Sequence, residues 1–200
     1  MQKDNKALHE LSHLLSFAVS ESEEKALAIL GSYQAKYRVF ECTGKVIDDL
    51  AGDGGKCSEM LALVAALASR RVTDGFRVGR KYSEKEIESL IVALFIGCSV
   101  ETVFSIAFDA RGAYLGFDFI SDGTVNYIDV LPRRVLELAK DRGAASLILA
   151  HNHPGGFCVP SSDDELSFKM MTDILRNCGI DVLANYVVAE GKCMKFPPKT

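Results

Sequence analysis

The chain has 200 residues, 48% of them apolar and 25% charged, and a formal net charge of -4. This composition supports a packed core and excludes a global attraction to nucleic acid or anionic membrane, so any such binding must come from a local patch. The longest apolar runs, "LALVAALA" and "LIVALFIGC", are too short to cross a bilayer, and the first residues show no secretory pattern, which predicts a cytoplasmic protein with no membrane association.

The first half is patterned for four helices. Leu8, Leu11, Leu14 and Leu15 fall on one face of the first, and residues 22–37 open with an N-cap serine and acids in the first turn. "HELSH" at 9–13 has the H-E-x-x-H form of a zinc-binding helix. Only eight residues precede it and no convincing third ligand follows, so His9 and His13 are read as part of a plain amphipathic helix. A third helix, "KCSEMLALVAALASRR", is entered through the Gly-rich turn "GDGG". The fourth, "SEKEIESLIVALFIGC", starts at Ser83 with the capping pattern Ser83 to Glu86. Between these two, Arg70, Arg71, Arg77, Arg80 and Lys81 cluster with Phe76 and Tyr82 interleaved. That segment reads first as a solvated linker and second as a surface that tracks DNA phosphates.

Beyond residue 100 the period shortens. "ETVFSIAFD" and "AYLGFDFIS" read as two strands of a hairpin joined at "ARG". "PRRVLELAKDRG" is a helix with Pro132 near its start and Gly143 just past its end. "AASLILAH" is a continuous apolar run, the signature of a central strand buried on both faces. A long amphipathic helix from "DDELSFKMM" follows, and two strands around "AEGK" close the chain. The pattern predicts a helical region over 1–96 and an α/β domain over 97–200, a three-layer sandwich rather than a doubly wound parallel sheet. Six cysteines without a CxxC pair read as free, mostly buried thiols, with Cys158 the most exposed.

The chemistry concentrates in "HNHPGGFCVPSSDDE", from His151 to Glu165. Residues i and i+2 of an extended strand point to the same side, so His151 and His153 can present both imidazoles to one point. Asp164 falls in the first turn of the next helix, where its carboxylate can face back toward the strand end. Three such ligands leave a fourth tetrahedral position open, the arrangement of catalytic zinc. The same residues also read as a helix start, because "SSDDE" holds two overlapping capping boxes, Ser161 with Asp164 and Ser162 with Glu165. The duplication predicts that Ser162 and Glu165 cap while Asp164 is free to bind metal. On spacing alone both readings stay open.

H-x-H-P, with seven residues between His153 and Ser161 and two more before Asp164, resembles the JAMM (MPN+) metalloprotease motif. "GTVNYIDVLPRRVLELA" and "AASLILAHNHP" resemble the bacterial RadC family in particular, over most of residues 97–197. The resemblance implies a JAMM-type α/β domain with a mixed sheet, of cytidine-deaminase-like architecture, after a degenerate helix-hairpin-helix-like region. It implies zinc held by His151, His153 and Asp164, Glu101 as the general acid-base, and Ser161 as a donor to the oxyanion. The expected function is zinc-dependent hydrolysis of amide or isopeptide bonds in an unknown protein or peptide substrate. The alternative is a DNA-associated repair or accessory protein with a metal-binding but little-used domain. Two positions depart from the RadC pattern: Asn185 and Tyr186 stand where the family usually has Asp-His. Asp53 sits between hairpin glycines, where an apolar residue is usual and a carboxylate would oppose a phosphate.

Overall fold

The computed structural model describes Glu24 and residues 56–98, 100–123, 132–154 and 156–196. The first two expected helices, the "HELSH" histidines and Asp53 lie outside the described residues. The elements in chain order are α1 (Lys56–Thr73), α2 (Glu84–Leu94), β1 (Thr102–Phe108), β2 (Tyr114–Asp122), α3 (Pro132–Asp141), β3 (Ser146–Asn152), α4 (Ser162–Asn177), β4 (Asp181–Ala189) and β5 (Lys192–Phe196). Among the described residues no helix is long and apolar enough to cross a membrane.

The five strands form one sheet in the order β2-β1-β3-β4-β5. Only β3 and β4 pair in parallel, with α4 between them in the chain; the other neighbours are antiparallel. The sheet is therefore mixed, as expected. β3 is buried at every position, which explains its unbroken apolar run. On one face Val135, Phe168 and Leu175 from α3 and α4 pack with Leu147, Leu149 and Val187. On the other, Ile87, Leu90, Ile91 and Leu94 of α2 pack with Ile106, Ile148, Tyr186 and Val188. The fourth sequence-predicted helix is thus one layer of the sandwich, although the sequence reading placed it before the boundary at residue 97. Its apolar face finds its cover on the sheet, and its start is the expected capping box: Glu86 accepts from the Ser83 amide and Ser83 Oγ accepts from the Glu86 amide.

Both hairpins follow local chemistry. Asp109 Oδ1 accepts from the Arg111 and Ala113 amides, each at 2.8 Å, and so closes the β1–β2 turn. The β4–β5 turn places Glu190 and Gly191 at φ 50° and 65° between the paired Ala189 and Lys192, the backbone of a two-residue type I′ turn. A glutamate in that left-handed position is uncommon.

The basic segment is divided in use. Arg70, Arg71, Arg77, Arg80 and Lys81 are exposed, but Phe76 and Tyr82 stack at 4.4 Å and pack against the core beneath α2. The rings that could have stacked on bases are committed to the fold.

Candidate metal centre

The centre is assembled where β3 ends. His151 is the last-but-one residue of β3, paired with Val103 on one side and Val187 on the other. Its imidazole lies on the α4 face, 5.4 Å from the Phe168 ring and 6.3 Å from the Phe196 ring, and only 2% of the residue is exposed. The His153 amide donates to the Val188 carbonyl at 2.8 Å, one step past the strand. Its Nδ1 lies 3.1 Å from the Phe157 carbonyl, which turns Nε2 toward His151.

Asp164 completes a triangle. His151 Nε2 and His153 Nε2 are 3.1 Å apart. Asp164 Oδ1 is 3.3 Å from the first and Oδ2 is 3.3 Å from the second. Ligand atoms about 2.0–2.2 Å from a tetrahedral ion are separated from one another by about 3.3–3.5 Å. The three observed separations are close to that spacing, although the two 3.3 Å contacts end on different oxygens of Asp164. Lone-pair donors this close repel one another unless a proton or a metal cation lies among them. Among the described residues this is the group of histidine, cysteine and acidic side chains arranged to hold a metal ion.

The electrostatics favour a metal at His151 and Asp164, and a proton at His153. Burial pushes the His151 imidazole below its ordinary pKa, against the pull of Asp164, and so favours the neutral form that a metal requires. The hydrogen bond to Asp164 raises His153. Burial alone would push Asp164 up, but hydrogen bonds from His151, His153 and Ser161 outweigh it and hold the carboxyl far below its usual range. The carboxylate stays ionised.

The helix cap differs from expectation. Ser161, rather than Ser162, is the N-cap, and its partner is Asp164. The Ser161 amide and hydroxyl each donate to Asp164 Oδ2 at 2.6 Å, and the Asp164 amide donates back to Ser161 Oγ at 3.1 Å. One carboxylate serves both the cap and the metal triangle, because its two oxygens offer about four acceptor positions. The Ser162–Glu165 box is not needed to release it.

Glu101 immediately precedes β1, and its carbonyl accepts from the Gly123 amide. β1 runs antiparallel to β3 with Val103 opposite His151, so Glu101 lies beside the end of β3. Its negative charge adds a small upward pull on both histidines, behind the burial that lowers His151 and the Asp164 hydrogen bond that raises His153. The fold thus brings Glu101 and Ser161 to the same strand end as the triangle.

One residue escaped the sequence reading. Asn152, between the two histidines, accepts from the Thr102 amide and donates to the Val100 carbonyl, gripping the backbone on both sides of Glu101. No local signal could have found it, since the grip depends on the β1–β3 register.

Cys158 also departs from expectation. It is half-buried, its thiol donates to the Val187 and Lys192 carbonyls at 3.3 and 3.5 Å, and burial raises its pKa. Among the described residues Cys178 is the exposed thiol instead. Asn185 and Tyr186 part company across the sheet. Asn185 pairs in register with Leu149 and Phe196, on the face of His151, and is fully buried. Tyr186 packs in the α2 cluster, with its hydroxyl 3.5 Å from Glu84 Oε1.

The chain matches the family described as RadC-like JAB domain over residues 82–199, more than half its length. A UPF0758 protein of Finegoldia magna is 30% identical over 195 residues, covering 88% of this chain and 87% of that protein. Another, from Leptothrix cholodnii, is 33% identical over 136 residues, 68% of this chain but only 57% of its own length. A third, from Pseudomonas fluorescens, is 27% identical over 164 residues, 82% of this chain and 73% of that protein. The first relative extends the likeness upstream of residue 82, across nearly the whole chain.

Proposed function

The chain belongs to the RadC-like JAB domain family, and from that premise we propose that it is a zinc-dependent hydrolase of peptide or isopeptide bonds. The observation that carries this reading is the cluster of His151, His153 and Asp164, in which the two Nε2 atoms lie 3.1 Å apart and a different Asp164 oxygen lies 3.3 Å from each. Two nitrogens and one carboxylate oxygen are the ligand types zinc takes, and three protein ligands leave one position for a reactant. When bound, zinc supplies a Lewis acid that lowers the pKa of a coordinated water and polarises a carbonyl.

The chain supplies the rest. Glu101, with its backbone gripped by Asn152, takes the proton from the attacking water and passes it to the departing amine. Ser161 holds Asp164 Oδ2 through both its amide and its hydroxyl. A hydrogen bond from the Ser161 hydroxyl to the oxyanion, worth a few kcal/mol when well placed, requires that its bond to Asp164 be given up. Substrate cleavage is tested by incubating the zinc-loaded protein with a library of peptides and lysine-linked isopeptides. Cleavage abolished by a chelator, restored by zinc and absent from His153→Ala supports the reading. Cleavage that persists in that variant defeats it.

A second reading, association with DNA, draws support from the five exposed basic residues between Arg70 and Lys81. Arg70 already pairs with Asp74 at 3.3 Å, and the interleaved rings are packed inward. What remains is phosphate attraction without base stacking, whose mark is binding that weakens steeply with salt and survives loss of the metal ligands.

A further inference from the structure

Beside His153, on the face of the sheet covered by α2, lies a cavity of about 210 Å³. Phe95 and Ile96 at the end of α2 form one wall, Val188 and Ala189 at the end of β4 another, and His153 itself a third. The cavity lies at the carboxyl ends of the parallel pair β3 and β4, the position at which open α/β sheets receive ligands. Two of the polar groups that line it are spent within the fold. The Asn152 side chain is committed to Thr102 and Val100, and the His153 amide to the Val188 carbonyl. Among the described residues Glu190, on the exposed β4–β5 turn, is the one acid on its border.

Two features decide what such a space holds. Sites that take a whole small molecule run about 300–1,000 Å³, and this one is smaller, suited to a single side chain. Its walls are aliphatic and aromatic, so a group that enters gains by leaving water rather than by hydrogen bonding. His153 is at once a corner of the metal triangle and a wall of the cavity, so the two sites adjoin at that residue, although the His151 imidazole lies on the opposite, α4 face of the sheet.

We propose that this cavity is the specificity pocket, receiving an apolar side chain of leucine or phenylalanine size from the residue next to the bond that is cut. The proposal rests on the hydrolase reading and narrows it to peptides with such a residue. Glycine or a small polar residue there leaves the pocket empty and the substrate poorly held.

The test uses hydroxamates, which chelate zinc and place their substituent beside it, with binding to the zinc-loaded full chain measured by calorimetry. Acetohydroxamate reads the metal site alone, and 4-methylpentanohydroxamate adds an apolar branch. The branch is expected to tighten binding about tenfold to a hundredfold. Ala189→Phe, which fills the cavity, and Ile96→Ala, which widens it, should each cut that gain while leaving acetohydroxamate affinity and melting temperature close to wild type. Because the two variants change the space in opposite directions, misfolding of one leaves the other to decide. Equal affinities for the two compounds, or a gain untouched by a folded variant, would overturn the pocket while the metal reading stands. Stronger binding of 6-aminohexanohydroxamate would shift selection to Glu190 and overturn the apolar assignment. Failure of every hydroxamate to bind in a metal-dependent way removes the hydrolase reading, and the pocket with it.

Discussion

Asn152 Oδ1 accepts a hydrogen bond from the Thr102 amide at 2.7 Å, and this contact links the proposed metal ligands to the acid proposed to act beside them. The same side chain donates to the Val100 carbonyl at 3.2 Å, so both peptide groups next to Glu101 are anchored between His151 and His153. Truncation leaves the buried Thr102 amide unpaired, at a cost of about 1–3 kcal/mol, while the Val100 carbonyl keeps the Thr102 hydroxyl as a donor. Asn152→Ala is expected to retain zinc, because β3 and the Phe157 carbonyl still place the imidazoles. With Glu101 displaced, kcat should fall about a hundredfold while KM changes little. Steady-state kinetics beside metal analysis checks this, and unchanged kcat in the zinc-loaded variant would release Glu101 from the grip.

Metal content separates the two sets of histidines in the sequence. His151→Ala and Asp164→Ala each remove a corner of the triangle and should abolish stoichiometric zinc. His9→Ala should retain about one zinc per chain. Elemental analysis after gel filtration gives the answer, and loss of zinc with His9 would move the site to the upstream H-E-x-x-H.

Ser161 has two structural duties, the cap of α4 and the orientation of the Asp164 carboxylate. Ser161→Ala should therefore destabilise the fold by about 1 kcal/mol and weaken zinc about tenfold to a hundredfold. Competition against a zinc-sensitive chelator dye measures the second effect. Ser162→Ala serves as the control and should leave zinc affinity unchanged. The reverse ranking would restore the Ser162–Glu165 cap.

The Cys158 thiol is turned to carbonyls of β4 and β5. Cys158→Ser should leave zinc stoichiometry and hydrolysis at wild-type values, because a hydroxyl can donate to the same carbonyls. Activity raised in this variant would mean that the thiol competes with water for the metal.

The metal triangle was legible because its geometry is local: an i, i+2 pair at a strand end, then an acid in the first turn of a helix. Overlapping capping boxes could not be resolved from spacing, since what places Asp164 as the N3 partner of Ser161 is its approach to His151 and His153 across the fold. Asn152 was invisible for a related reason, because a side chain that bridges to Val100 and Thr102 acquires its role only when β1 lies beside β3. β3 announced itself by its unbroken apolar run. The assignment of α2 to a layer of the sandwich did not, because an amphipathic face states that it is buried and not against what. Glu101 came from the family resemblance alone.

The proposed mechanism depends on Glu101 moving protons rather than holding the metal. The most direct measurement is hydrolysis by Glu101→Gln, with zinc content and melting temperature read on the same sample. The amide nearly preserves the size of the side chain and cannot act as a base. The account predicts full zinc occupancy, an unchanged melting temperature and a loss of about a hundredfold to ten-thousandfold in kcat. Full activity with zinc retained would contradict it, and lost zinc would make Glu101 a ligand instead.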